Sequence, residues 1–396
     1  MAKKLRVGIL TEYYNSINYG GNLQAYAMVR YLNEHGVYAE QIPYDKPKSK
    51  KNSFKKCISK YSLREFAVKL AQKILIKPFH NMTVRIGTKH HSIEMQKLKE
   101  RNRAVSEFNQ KIPHCKKIFN DITIHECNNF YDVFITGSDQ VWNLTDRKSY
   151  FLLFAEKNKI KYSYAASISK DSLKYEEMVF FKDVLKDYKG ISVREKETAE
   201  MLSDLTGKKV EWVVDPVFLL SKDVWKNICN SRYVSEPYIF CYFLGDTKWH
   251  RNVATLYAKK RNLKIVTLPY LLGKYRSCDV DFGDIRLFKV NPEGFISLVR
   301  YANCVITDSF HASAFSVIFG NEFFVFERNV SISMGSRIRS LMELTGIQER
   351  YYMTEKEALE HMEVLSGNQI KINRELLNEM VRKSEDFIMK MIKIPV

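Results

Sequence analysis

Short apolar runs alternate along the chain with polar turns and with stretches whose apolar positions recur every three to four residues. In the first half, residues 6–10 (RVGIL), 37–42, 132–136 (DVFIT), 161–166 (KYSYAA), 190–194 (GISVR) and 209–214 (KVEWVV) read as strands. In the second half, residues 238–244 (YIFCYFL), 264–268 (KIVTL), 304–307 (CVIT) and 322–326 (EFFVF) do so. Runs this short, bounded by turn residues, suit strands buried in a sheet. Helical patterns lie between them. One runs from about Asn22 to Gly36, with Leu23, Ala27, Val29 and Leu32 as its apolar positions. Others cover 253–261, 292–300 and 312–319, begin near Ser336, and close the chain as a long amphipathic stretch over 373–392. Strands alternating with helices predict parallel sheets and an α/β fold.

The alternation breaks over residues 46–120, which read as a helical insertion. Within 54–78, Leu63, Phe66, Ala67, Leu70 and Ile74 share one arc, with Lys60, Arg64, Lys69 and Lys73 around or opposite it. Charge changes the picture here. The chain carries a net +18, and residues 46–103 hold 17 Lys and Arg against three acids, a net +14. A basic amphipathic helix either lies on an anionic membrane surface or packs as a solvated helix on its own domain. Phosphate is the chemistry that such a patch meets. Nucleic acid is the least favoured source of it. Phe54, Tyr61 and Phe66 stand at helical spacing, as a packing face does, rather than as a base-stacking platform.

A chain of 396 residues, 45% hydrophobic, can build two cores. The expected division is 1–222, carrying the insertion, and 223–396, carrying the terminal helix. The seven cysteines are scattered and none shows CxxC spacing, which suits a reduced cytoplasmic protein without a zinc or redox site. The first residues hold too short an apolar run for a signal peptide, and no window reaches the roughly 18 apolar residues of a membrane span. The expected location is therefore cytoplasmic.

Candidate chemistry collects at predicted strand ends. Gly20-Gly21 precedes the first helix, and Gly21, Asn22 and Gln24 are binding candidates there, although neither GxGxxG nor a Walker pattern is present. The turn GSDQVWN offers Ser138, Asp139, Gln140, Trp142 and Asn143. Polar groups beside an aromatic ring suit a sugar, and the same residues suit a capped helix start with a core tryptophan. Arg194 ends a strand, where it can hold a carboxylate or phosphate, or pair with one of the glutamates that follow. Asp308, Ser309 and His311 sit between a strand and a helix, where they either cap the helix or form the chemical centre. Arg337 and Arg339 lie in the next turn. Two halves with strand ends facing one another place these residues on a shared cleft. No metal-ligand spacing is evident.

The segments NYGGNLQAYAMVRYL, FITGSDQVWN, YSYAASI, ISVRE, VVDPVFLL and VITDSFHASAFSVIFG occur in this order. Together they resemble the polysaccharide pyruvyl transferase family over nearly the whole chain. The resemblance implies two Rossmann-like domains in a GT-B-like arrangement. It implies transfer of the pyruvyl group of phosphoenolpyruvate onto sugar hydroxyls, as a ketal, during assembly of a capsule or other exopolysaccharide. It also implies an acceptor carried on a polyprenyl diphosphate, which the basic insertion would suit at the inner face of the cell membrane. No cofactor is implied beyond phosphoenolpyruvate as donor substrate. The family often carries Arg-Leu-His where this chain reads Ser309-Phe310-His311. The histidine carries over and the arginine does not, so Arg194, Arg337 and Arg339 stand as the donor-binding cations. His311 is then the expected acid, Asp139 the expected base and Asp308 the second choice for base. Two rivals remain: a GT-B-type glycosyltransferase using a nucleotide sugar, and a non-enzymatic protein that binds anionic surfaces or nucleic acid.

Overall fold

The computed structural model describes residues 5–46, 96–143, 147–229, 231–270, 276–279, 281–328, 335–367 and 369–392. The predicted basic helix over 54–78 lies outside these residues.

The first half builds a parallel sheet from β1 (Arg6–Leu10), β2 (Tyr38–Gln41), β3 (Val133–Thr136) and β4 (Ile160–Ser163), ordered β2-β1-β3-β4. Bridges from Tyr162 to Gly190 and from Ala166 to Val193 continue it into β5 (Ile191–Val193) and β6 (Val210–Trp212). The second half forms a six-stranded sheet from β7 (Tyr238–Tyr242), β8 (Lys264–Thr267), β9 (Ile285–Arg286), β10 (Cys304–Thr307), β11 (Glu322–Phe326) and β12 (Tyr351–Tyr352). Its order is β12-β11-β10-β7-β8-β9, and its strand pairs are parallel. Numbered within the domain, that is 3-2-1-4-5-6 from one edge, the doubly wound Rossmann order. The central strands β3, β7 and β10 are buried at every residue, which is why they read as unbroken apolar runs.

The two halves share a core. Leu23, Met28, Trp225, Phe295, Phe315 and Phe323 belong to one buried cluster. Tyr19, from the first helix, stacks on Phe295 with ring centroids 5.0 Å apart, and its hydroxyl donates to Val290 O at 3.1 Å. The final helix, Arg374–Ile392, returns to the first half, where Val214 N donates to Ser384 Oγ at 3.0 Å. Among the described residues, no helix is long and apolar enough to cross a membrane.

The structure corrects several expected boundaries. The first helix is Tyr19–Glu34, not a helix from Asn22, because Asn18 caps it by accepting from Gly21 N. Both glycines therefore lie in its first turn. The predicted strand over 161–166 ends at Ser163, and Ala165 adopts φ +49 where the chain turns away. The insertion is not helical throughout. Residues 96–109 are helical, but the chain then runs back along the sheet edge, with bridges from Gln41 to His114 and from Tyr44 to Phe119.

Candidate active site

The carboxyl ends of the two sheets face each other, and loops after β3, β5 and β6 meet the turn after β10. Residues 137–143 form no helix. Gly137 has φ +109, and a Cβ there would stand 2.2 Å from Tyr164 O, so only glycine lets the chain pass. Asp139 sits at φ +69, a left-handed conformation that aspartate tolerates. Gln24 braces this turn. Its Oε1 accepts from Ser138 N at 3.2 Å, while its Nε2 donates to Thr11 Oγ1 and Gly21 O.

The turn delivers Asp139 to Arg194. The guanidinium donates from Nη2 to Asp139 Oδ1 at 2.8 Å and from Nη1 to Asp215 Oδ2 at 2.7 Å. Its partners are thus two aspartates from other strand ends, not the glutamates that follow it in sequence. Phe310 lies against its face, 4.7 Å from ring centroid to guanidinium carbon. Asp215 Oδ2 also accepts from Ser138 Oγ at 3.0 Å, and its Oδ1 accepts from Val217 N. Glu195 is buried beside this pair, bonded to Ser167 Oγ, and burial pushes its carboxyl up.

The second half contributes His311 and Arg337. His311 Nε2 lies 3.6 Å from Asp215 Oδ2, and Arg337 Nη1 lies 3.7 Å from Asp139 Oδ1. With its amide oxygen turned toward Arg337, Gln140 accepts from Nη1 at 3.1 Å. Asp139, Arg194, Asp215, His311 and Arg337 are all buried. Burial alone would raise both aspartates. His311 and Arg194 outweigh it at Asp215, and Arg194, His311 and Arg337 outweigh it at Asp139, so both carboxyls are held below the ordinary range. Burial and the like charge of Arg194 push the Arg337 guanidinium down, and its Nε has no hydrogen-bond partner among the described residues. Such a cation gains from an added anion.

Beside the cluster opens a cavity of about 1190 Å³ between the two halves. Tyr13, Tyr14, Tyr19, Tyr242, Tyr270 and Phe243 wall it, together with amides, Lys46, Arg101, Arg103 and Arg328. Asn18 links the two spaces, lining the cavity while its Nδ2 lies 3.4 Å from Asp139 Oδ2.

The sequence-predicted residues divide into groups. Asp139, Arg194, His311, Arg337, Ser138 and Gln140 come together. Gly21, Asn22 and Gln24 shape the first helix start. A Cβ on Gly21 would meet Glu12 O at 2.6 Å, and Asn22 donates to Ser16 O and Asn18 O. Ser309 caps the helix Phe310–Phe319. Asp308 accepts backbone N–H groups from Leu244 and Gly245 at 2.6 and 2.7 Å. Arg339 stands apart, 2.9 Å from Asp171 and 3.8 Å from Glu327. Trp142 overturns its sugar-platform expectation. It is 1% exposed, stacks on Phe151, and donates from Nε1 to Tyr150 O, so its ring faces the core. Asn143 is half-buried beside it. Sequence reasoning missed Asp215, Asn18 and Gly20. The signal for Asp215 was an acid directly after an apolar strand and before proline.

Among the described residues, no group of three or more His, Cys, Asp or Glu is placed to hold a metal ion. A search of curated proteins returns no match. The fold is similar to that of UDP-N-acetylglucosamine 2-epimerase from Rickettsia bellii, at TM-score 0.57 and 9% identity, over 98% of this chain and 97% of that one. It is also similar to UDP-GlcNAc 2-epimerase from Methanocaldococcus jannaschii, at TM-score 0.52 and 11% identity, over 97% of this chain and all of that one. At such identities the likeness is one of fold, and that fold is GT-B-like. The sequence profile described as polysaccharide pyruvyl transferase matches residues 18–329, a span that holds Asp139, Arg194, Asp215 and His311. With most of its length matched, this chain belongs to the polysaccharide pyruvyl transferase family and is a transferase.

Proposed function

We propose that the enzyme moves the pyruvyl group of phosphoenolpyruvate onto two hydroxyls of a sugar, closing a ketal on a surface polysaccharide precursor. The observation that carries this reading is the meeting of Arg194, Asp139 and Asp215 with His311 and Arg337, in a chain of this family. One acceptor hydroxyl adds to C2 of the donor while C3 takes a proton and becomes a methyl group. The second hydroxyl then adds to C2 as the bond to the phosphate oxygen breaks, and inorganic phosphate leaves. His311, held beside Asp215, supplies the proton to C3. Arg337 and Arg194 stabilise charge on the carboxylate and phosphate. Asp139 receives the hydroxyl protons, though a carboxylate held this firmly ionised is a weak base. Positioning and charge stabilisation then carry most of the rate. Asp308 is set aside as a base because both its oxygens already accept backbone N–H groups.

The acceptor is a saccharide on a polyprenyl diphosphate, and the net +14 over residues 46–103 supports attachment at an anionic membrane face. A second reading, glycosyl transfer from a nucleotide sugar, is favoured by the Rossmann strand order of the second sheet. One assay separates the two. Pyruvate incorporation and phosphate release from phosphoenolpyruvate are measured with saccharide acceptors, against consumption of a sugar nucleotide. His311→Ala should abolish pyruvyl transfer while circular dichroism stays native. Wild-type turnover in that variant would sink the assignment.

A further inference from the structure

In a doubly wound sheet, ligands sit outside the carboxyl ends of the strands where the order reverses. In the second sheet that point lies between β7 and β10, at Leu244-Gly245 and Asp308. Asp308 spends both oxygens on the N–H groups of Leu244 and Gly245, which closes the turn. Arg251 and Arg276 grip the same turn through its carbonyls. Arg251 Nη2 donates to Gly245 O at 2.8 Å, and Arg276 Nη2 donates to Leu244 O at 2.6 Å. Asp279 is their carboxylate partner.

A third arginine lies over this turn. Arg328, just past the end of β11, donates from Nη2 to Asp308 O at 2.9 Å, and its Nε stands 3.7 Å from Asp308 Oδ2. A Cβ at Gly245 would come within 2.8 Å of Arg328 Cγ and 2.9 Å of Asp308 Oδ2, so glycine is what admits the arginine there. Three guanidinium groups thus surround one turn, with Asp308 and Asp279 as the paired carboxylates. The next acid, Glu327, stands 3.8 Å from Arg339 and interacts electrostatically with both Arg339 and Arg328. Arg251 and Arg276 do not line the large cavity. Arg328 does, with 18% of its side chain exposed.

We infer that Arg328 is a phosphate-binding residue of the interdomain cleft, meeting the oxyanion of a phosphate ester or diphosphate. A planar guanidinium held by Asp308 and partly exposed where it lines the cavity suits bidentate contact with phosphate oxygens. Two substrates carry that chemistry, the donor phosphate and the diphosphate of a lipid-linked acceptor. Naming them rests on the pyruvyl-transfer reading. The phosphate site itself does not, since binding needs no turnover.

Titration calorimetry on the full chain tests this with inorganic phosphate, pyrophosphate and phosphoenolpyruvate. The variants are Arg328→Gln, which keeps a donor for Asp308 O without the charge, Arg328→Lys, which keeps the charge, and Arg103→Ala. Arg103 is a second cavity arginine, paired only to Glu107 among the described residues, and controls for general electrostatics. Arg328→Gln should weaken phosphate by about tenfold or more, Arg328→Lys by less, and Arg103→Ala hardly at all. Parallel loss of phosphoenolpyruvate assigns the site to the donor. Loss of phosphate and pyrophosphate with phosphoenolpyruvate retained assigns it to the acceptor diphosphate. Wild-type binding of all three ligands by Arg328→Gln, or no binding of any of them by the wild type, overturns the inference. Phosphate binding that depends on Arg328, in a protein that transfers no pyruvyl group, would leave this site standing and remove only the reaction.

Discussion

His311 Nε2 faces Asp215 Oδ2 across 3.6 Å, and the two residues come from opposite halves of the chain. Each needs the other. The imidazole nitrogen has no hydrogen-bond partner among the described residues, and the aspartate is buried with Arg194 as its other cation. Asp215→Asn should therefore act twice. It removes the carboxylate that faces the proposed acid, and it leaves Arg194 with one carboxylate in place of two. Breaking a buried pair in this way typically costs about 3–5 kcal/mol. The expected result is a lower unfolding midpoint and a pyruvyl-transfer kcat reduced by at least roughly 100-fold, the scale of lost acid catalysis. A pH–rate profile distinguishes the two effects, because loss of positioning alone would leave its shape unchanged. The sign for acid stability follows from the lowered carboxyl. Its contribution is complete above the ordinary aspartate range, near pH 4, and is lost progressively below it. Asp215→Asn should flatten that acid limb.

Gly20 sets where the His311 ring can lie. A Cβ at position 20 would stand 1.9 Å from His311 Nδ1, so Gly20→Ala must push the ring off the first helix. Overpacking of this kind costs about 1–3 kcal/mol. The activity loss should exceed the stability loss, because the displaced ring is the proposed acid. A double-mutant cycle checks the cause. Gly20→Ala should be nearly harmless to stability in a His311→Ala background, since the space is then empty. Equal costs in both backgrounds would place the strain elsewhere.

The strands that position this site were legible because β3, β7 and β10 are covered on both faces, and such strands have no polar side to disguise them. Arg194 and His311 were legible as charged groups at strand ends. Their partners were not. Arg194 was followed by three glutamates within six residues, yet it pairs with Asp139, 55 positions earlier, and Asp215, 21 positions later. Pairing across a sheet is decided by strand order, which leaves no local mark. Trp142 misled for a related reason. After a turn with left-handed Asp139, the chain direction decides whether a ring faces cleft or core, and composition does not encode that direction. The start at Asn22 was late because glycines usually mark a loop, whereas these two admit Glu12 O and His311 against a helix.

His250 makes a second pH prediction, with the other type of group. It is fully buried, its Nε2 bonds to Glu327 O at 3.0 Å, and its Nδ1 lies 4.0 Å from Asp308 Oδ2. Burial, only partly offset by Asp308, pushes its pKa down to about 4. The unfolded chain binds a proton near the ordinary histidine value of about 6.5. Between these limits the unfolded state holds more protons than the native one, so stability falls as pH drops from 6.5 toward 4. The full span corresponds to roughly 3 kcal/mol at most. His250→Gln keeps a donor for Glu327 O and does not titrate. Urea midpoints measured from pH 7 to pH 5 should fall less in this variant than in the wild type, and parallel curves would refute the attribution.

Arg101 reaches the second half from the helical segment 96–109, and it does so through neutral partners. Its guanidinium donates to Pro269 O at 2.7 Å, Phe288 O at 3.0 Å and Leu287 O at 3.1 Å, and the residue is 3% exposed. Three carbonyls taken one each by Nε, Nη1 and Nη2 match a guanidinium fork and not an ammonium, which sits as a point charge. Arg101→Lys should therefore recover little of what Arg101→Ala loses. Removing a donor that leaves one buried and two part-buried acceptors unsatisfied costs about 1–3 kcal/mol for each group exposed to that penalty, less whatever water restores. The cavity opens beside this contact, so water can enter, and the expected net loss is nearer the cost of one group than of three. Because the staple joins the cleft walls rather than touching the charged cluster, Arg101→Ala should raise KM for the saccharide acceptor more than it lowers kcat. Steady-state kinetics at saturating donor would show this split. A fall in kcat with unchanged KM would mean that the staple positions the catalytic cluster instead.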